Sequence, residues 1–146
     1  MVADYSICLG TAGWVVWHSP DAGKSWVRHR SPFPLNSRMQ ALVVHPTKPH
    51  TIYAGGDTGL FVSRTGGATW ERLPLQGEVP TIWSLAVDPV DPRILFAGTR
   101  PAGVYRSRDG GQRPGCPTNH PCPFSHRERV GVRGYAHSHE TLLCTS

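Results

Sequence analysis

One short phrase recurs along the chain at a fixed interval. Ser19-Pro-Asp-Ala-Gly-Lys-Ser-Trp26, Ser63-Arg-Thr-Gly-Gly-Ala-Thr-Trp70 and Ser107-Arg-Asp-Gly-Gly-Gln112 begin 44 residues apart each time. A repeat of this length signals a propeller or a solenoid, in which one supersecondary unit stacks on copies of itself. That periodicity restricts the fold more than any single residue does.

The likeness between copies runs beyond the phrase. Ala41–Pro46 aligns with Ser84–Pro89, Ile52–Gly55 with Leu95–Gly98, and Gly59–Ser63 with Gly103–Ser107. The one-residue difference in spacing falls near Arg100 and Pro101, in a loop, where added length costs little. Gln40–His45 alternates around Leu42 and Val44, as a half-buried strand does. Pro46 and Pro49 are expected to end it, because proline removes a ladder donor. Thr51–Gly55, Leu60–Ser63 and Thr69–Leu73 read as three more strands. Four short strands per repeat, punctuated by glycine and aromatic residues, describe a propeller blade. Helical solenoids are excluded, since no stretch keeps a helical apolar period for about ten residues.

The phrase resembles the Asp-box, or bacterial neuraminidase repeat, of pattern Ser-x-Asp-x-Gly-x-Thr-Trp. Ser19, Asp21, Gly23 and Trp26 match it, with Ser25 in place of threonine. Ser63, Gly67, Thr69 and Trp70 match in the second copy, where Thr65 replaces the aspartate. Ser107, Asp109 and Gly111 match in the third. The resemblance implies a hairpin turn between the third and fourth strands of a blade, on the rim and away from the central site. The residue types suit such a turn: the side chain at the Asp position accepts from turn amides, and glycine takes a positive φ without a steric penalty. Tryptophan offers a broad apolar body, so Trp70 and Trp26 are both expected to pack between sheets.

The expected fold is therefore all-β, an incomplete β-propeller of about two and a half four-stranded blades with an irregular C-terminal tail. Its blades would span residues 1–38, 39–77 and 78–112. Closed propellers have about four to eight blades, so the chain reads as a piece of a longer protein or as a subunit that closes by assembly. Residues 113–146 abandon the repeat, with Arg113 and Pro114 where threonine and tryptophan belong. They hold three of the four cysteines and four of the eight histidines, and read as a shifted reading frame or an artificial end, with too little apolar patterning to offset the entropy of ordering. Cys116 and Cys122 lack the close ligand spacing of a structural zinc site, so no metal and no cofactor is expected. Cys8 reads as a small buried hydrophobe on an apolar strand.

Charge and hydropathy narrow the partners. The net charge of +5 is spread through the chain without a basic stripe, which argues against nucleic acid. Arg28 and Arg30, like Arg106 and Arg108, alternate as outward strand positions would. No run of about eighteen apolar residues exists, so no membrane span is expected. Without a visible signal peptide the expected location is cytoplasmic.

Two functions remain. The first is a truncated, non-catalytic scaffold that binds protein or glycan. The resemblance embraces peptide-binding sortilin-type receptors, photosystem assembly factors and xyloglucan hydrolases. The second is a fragment of a sialidase-like exo-glycoside hydrolase, because glycosidases need paired carboxyls about one sugar bond. The arginine triad, tyrosine–glutamate pair and acidic aspartate of sialidases find no match here, so no catalytic residue is assigned. Asp57 is the acid least tied to the repeat and the candidate for the ligand face, and in the hydrolase reading the loops Ser31–Ser37 and Leu75–Pro80 would help line that face. Asp21, Asp109 and Asp88 sit at repeating positions and read as architectural. Open blade edges would favour self-association.

Overall fold

The computed structural model describes residues 5–75 and 81–111. The readings made for the tail, including its cysteines and histidines, and for most of the Leu75–Pro80 loop lie outside them. The described residues form ten strands and no helix. Strands β1 (Ile7–Gly10), β2 (Val16–Ser19) and β3 (Val27–His29) make the first sheet. Strands β4 (Met39–His45), β5 (Lys48–Gly56), β6 (Gly59–Ser63) and β7 (Glu71–Leu73) make the second. Strands β8 (Thr81–Val87), β9 (Leu95–Arg100) and β10 (Gly103–Ser107) make the third. Every pairing joins consecutive strands antiparallel. The molecule is an arc of a β-propeller.

Two strand limits differ from the sequence reading. Pro49 lies inside β5 rather than ending a strand, because the ladder to β6 starts only at Ile52. A missing amide donor is harmless before that point. Thr69 stays outside β7, because its N–H donates to Thr65 Oγ1 at 2.8 Å instead of to a neighbouring strand.

The repeated phrase folds into one turn, built three times. A wholly buried serine hydroxyl accepts the amide four residues on: Gly23 N–H to Ser19 Oγ at 2.8 Å, Gly67 N–H to Ser63 Oγ at 2.8 Å, and Gly111 N–H to Ser107 Oγ at 2.9 Å. The preceding amide reaches back to the carbonyl two residues before the residue that pairs with the serine. Ala22, Gly66 and Gly110 donate to the carbonyls of Tyr5, His50 and Arg93 at 3.1, 2.8 and 2.7 Å. Both bonds require two successive left-handed residues, with φ of 59° and 92°, 68° and 100°, 65° and 73°. This explains the glycines, since only glycine takes that conformation freely. At Gly67 a Cβ would also meet Cys8 Sγ.

Asp21 organises the first turn further. It accepts Ser19 Oγ–H at 2.9 Å, Ser25 N–H at 2.8 Å and Ser25 Oγ–H at 2.6 Å. In the second turn Thr65 takes the same place and accepts Thr69 N–H at 2.8 Å. One hydroxyl thus replaces a carboxylate without loss of the amide bond.

The sheets stack face to face in chain order. Between the first and second lie Val15, Val16, Phe33, Met39, Ile52, Ala54, Phe61 and Trp70, with Cys8 and Leu42 packed against them. Phe33 stands 4.6 Å from Phe61 and 5.7 Å from Trp70, centroid to centroid. Between the second and third lie Tyr53, Leu60, Val62, Leu73, Ile82, Leu95 and Ala97. Cys8 is half-buried rather than buried, and burial raises its thiol pKa. His18 and His29 lie 5.9 Å apart on the first sheet, and burial first, then the charge of His18, hold His29 below the ordinary imidazole range.

Trp26 departs from the expectation. Its indole N–H donates to Gly23 O at 3.1 Å, as that of Trp70 donates to Gly67 O at 3.0 Å. Yet Trp70 is 7% exposed and Trp26 38%. Trp70 has the first sheet to cover it; no sheet among the described residues covers Trp26.

We expect Trp70→Ala to cost about 3–5 kcal/mol in urea unfolding, the range for a buried aromatic, and Trp26→Ala about 1 kcal/mol. Equal costs would contradict the packing difference. A second expectation concerns acid. The side-chain and backbone hydrogen bonds from Ser25 lower the Asp21 pKa to about 2. A depressed carboxyl pKa adds stability that is complete above the unfolded value near 4 and fades as pH falls towards 2. Carboxyl NMR should give a midpoint near 2, and Ser25→Ala should move it upward.

Candidate ligand face

Alternating hairpins divide the loops between two ends of the arc. The serine turns and the β4–β5 and β8–β9 connections lie at one end. The β1–β2, β5–β6 and β9–β10 turns lie at the other, with the segment 30–38 that leads into β4. The two ends carry different chemistry.

The first end carries the serine turns. It holds Ser19, Asp21, Gly23, Trp26, Ser63, Gly67, Trp70, Ser107, Asp109 and Gly111, all of them placed in the serine turns or packed on them. Asp88 belongs there too. Its carboxylate accepts Val90 N–H at 2.8 Å and Asp91 N–H at 3.1 Å, which closes the β8–β9 turn. Asp91 pairs with Arg93 at 2.9 Å; that hydrogen bond lowers the Asp91 pKa and raises the Arg93 pKa. Glu71 pairs with Arg64 at 2.6 Å.

The second end holds Asp57, as the sequence suggested, but in a fixed position. Asp57 Oδ1 accepts Arg38 N–H at 2.9 Å, while Asp57 N–H donates to Arg38 O at 3.2 Å. Next to it Thr58 Oγ1 donates to Ser37 Oγ at 3.2 Å, and Arg72 donates to Thr58 O at 3.0 Å. A Cβ on Gly56 would strike Arg38 O, so the chain passes close there. The β5–β6 turn is therefore tied to the entry of β4. Among the described residues Asp57 is the sole acid at this end.

Two exposed tryptophans mark the same end. Trp14, in the β1–β2 turn, is 57% exposed. The guanidinium of Arg28 lies 4.6 Å from its ring centroid, a cation–π contact that covers one face and steadies the ring. Arg28 is thus turned onto Trp14 instead of alternating outward as its sequence position suggested. Trp83 is 52% exposed at the start of β8. The register shifts between Ile82 and Ser84 leave Trp83 without a partner in β9. A bulge of this kind re-aims a side chain. The second sheet repeats it between Met39 and Ala41, where Gln40 is the unpaired, exposed residue.

Neither tryptophan stood out in the sequence as a surface residue. For Trp83 a signal existed: it aligns with polar Gln40, a position that cannot be core in both repeats. For Trp14 none did, because the β1–β2 turn shares no length with its counterparts.

Comparison with known proteins places this arc. The chain is 26% identical over 118 residues to a xyloglucanase of Hypocrea jecorina (strain QM6a), covering 75% of this chain and 14% of that protein. It is 27% identical over 106 residues to a probable oligoxyloglucan-reducing end-specific xyloglucanase of Neosartorya fischeri, covering 64% of this chain and 13% of that protein. The chain therefore spans about a seventh of the length of these curated relatives. Among solved structures, the GH74 xyloglucanase of Xanthomonas campestris superposes with a TM-score of 0.55 at 24% identity, over 70% of this chain and 17% of that one. An ancestral GH74 enzyme gives 0.60 at 22% identity, over 74% and 16%. YCF48 bound to D1 peptide gives 0.59 at 15% identity, over 77% and 37%. No family model matches. At these identities the structures establish the propeller fold. The sequence relatives are xyloglucanases, and they lend no support to the sialidase expectation.

The tie between Asp57 and Arg38 makes a prediction. Asp57→Ala should destabilise by about 1–2 kcal/mol through loss of a charged acceptor, and Asp57→Asn, which keeps an acceptor oxygen, by less. Urea unfolding of both variants measures it. Equal, negligible effects would return Asp57 to the role of a free loop acid.

Proposed function

We propose that this chain is an Asp-box propeller arc that binds glycan through its tryptophan-bearing end, as part of a xyloglucanase-type glycoside hydrolase propeller. The exposed Trp14 ring, held by Arg28, is the observation that carries this reading. An immobilised aromatic face with one side open suits the apolar faces of sugar rings, and it costs little entropy on binding. The likeness to xyloglucanases supports a glycan of that class. The blade limits at residues 38 and 77 belong to the same proposal.

Hydrolysis is assigned to the rest of such a propeller. Two carboxyls must converge on one glycosidic bond, and Asp57 is alone at this end among the described residues and engaged with Arg38. The reading predicts binding without turnover. In affinity electrophoresis the chain should be retarded by xyloglucan and not by an unrelated polymer. Trp14→Ala should weaken retention about tenfold, equivalent to ~1.4 kcal/mol, and reducing-sugar release should stay at background. Unchanged retention in Trp14→Ala would refute the assignment of this face. Sugar release abolished by Asp57→Ala would favour the enzyme.

A further inference from the structure

Two histidines face the gap between the first and second sheets. Val16 belongs to the core that fills this gap, and it pairs with His29 across the β2–β3 ladder. Residues opposite each other in a ladder share a face, and residues two apart along a strand return to it. His29 and His18 are therefore on the Val16 face, and so is Cys8, which pairs with His18. The two imidazole rings lie 5.9 Å apart. His18 is 7% exposed. A Cβ on Gly67 would come within 3.0 Å of its ring, so His18 rests on the serine turn of the second sheet. Nε2 of His29 is shut off from solvent and meets no hydrogen-bond partner.

The second sheet offers these rings no counter-charge. Ile52, Ala54, Phe61 and Trp70 mark its face towards the first sheet. In β5, Lys48 and His50 share that face with Ile52 by alternation, and His45 pairs with Lys48 at the end of β4. In β7, Arg72 shares it with Phe61, its ladder partner. The segment 30–38, which contributes Phe33, brings Arg30 and Arg38. Cys8 supplies no anion, because burial raises its thiol pKa. Asp21, Asp57 and Glu71 are engaged with Ser25, Arg38 and Arg64. Among the described residues no carboxylate pairs with either imidazole.

We propose that the joint between the first and second sheets is a pH-sensitive device, closed while His18 and His29 are neutral and loosened when they take up protons. A protonated imidazole has two donors and no acceptor. On His29 one of them would be Nε2–H, which finds no acceptor, and a second charge would stand one ring away. Burial of an unpaired donor and like-charge repulsion both oppose the charged form. Burial first, then His18, hold His29 below the ordinary imidazole range. Such a group adds stability that is complete above its unfolded pKa, about 6.5, and is lost as pH falls through the folded value. This window lies above the one set by Asp21. The β1–β2 turn carries Trp14, so loosening the joint would uncouple that ring from the second sheet. The proposal stands whatever ligand the ring takes.

Amide hydrogen exchange of the full chain, followed by NMR from about pH 8 to about pH 5, tests it. Each rate is divided by that of an unstructured chain at the same pH. Protection of the β1–β3 amides should fall by about threefold or more on acidification, while that of β8–β10 holds. Imidazole NMR should show His29 titrating below the ordinary value. His29→Gln, neutral throughout, should remove the pH dependence of the first sheet. If that variant fails to fold, the His29 midpoint and the sheet-by-sheet exchange of the unaltered chain decide. Unchanged protection, an equal fall in all three sheets, a His29 midpoint at or above the ordinary value, or the same pH dependence in His29→Gln would overturn the proposal.

Discussion

A buried serine hydroxyl is the contact on which this structure depends. Ser19, Ser63 and Ser107 have no exposure to solvent, and each accepts an amide from a chain that has just reversed direction. A polar atom so placed is costly unless paired, and the amide it pairs with is available only if two successive residues turn left-handed. Glycine follows from that requirement. The bond from the same turn to Tyr5, His50 or Arg93 ties the turn to the second strand of its repeat. The register of all three sheets descends from it.

Packing between sheets depends on what stands next to each turn. Trp26 and Trp70 have the same local bonds and the same place in the repeat, yet one is buried and the other half-open. Indole burial comes from the neighbouring sheet, so it belongs to the array and not to the repeat. Among the described residues the first sheet packs against one neighbouring sheet only, and Leu9, Trp26 and Val27 are left exposed on it.

The two ends of the arc divide the labour. One is consumed by turn architecture, with its acids bound to amides or arginines. The other carries Trp14, Trp83 and a short loop fixed by Asp57 and Arg38. A frame with aromatic groups at one end supports the proposed glycan contact, and a repeat fold can change those loops without disturbing the serine turns.

The amino-acid sequence by itself determined the repeat, the strand order within each sheet, and the turn at each Ser-x-Asp/Thr-x-Gly phrase. These are local: a hydroxyl, a glycine and an alternating apolar run act within a few residues, and their spacing is visible in the chain. Tertiary structure decided the rest. Asp57 became a tether because Arg38, 19 residues away, presents its amide, and Arg28 lies over the ring of Trp14. A bulge set Trp83 outside its ladder. Which tryptophan is covered and which acid is engaged are both settled by groups distant in sequence, whose proximity exists only once the sheets have stacked.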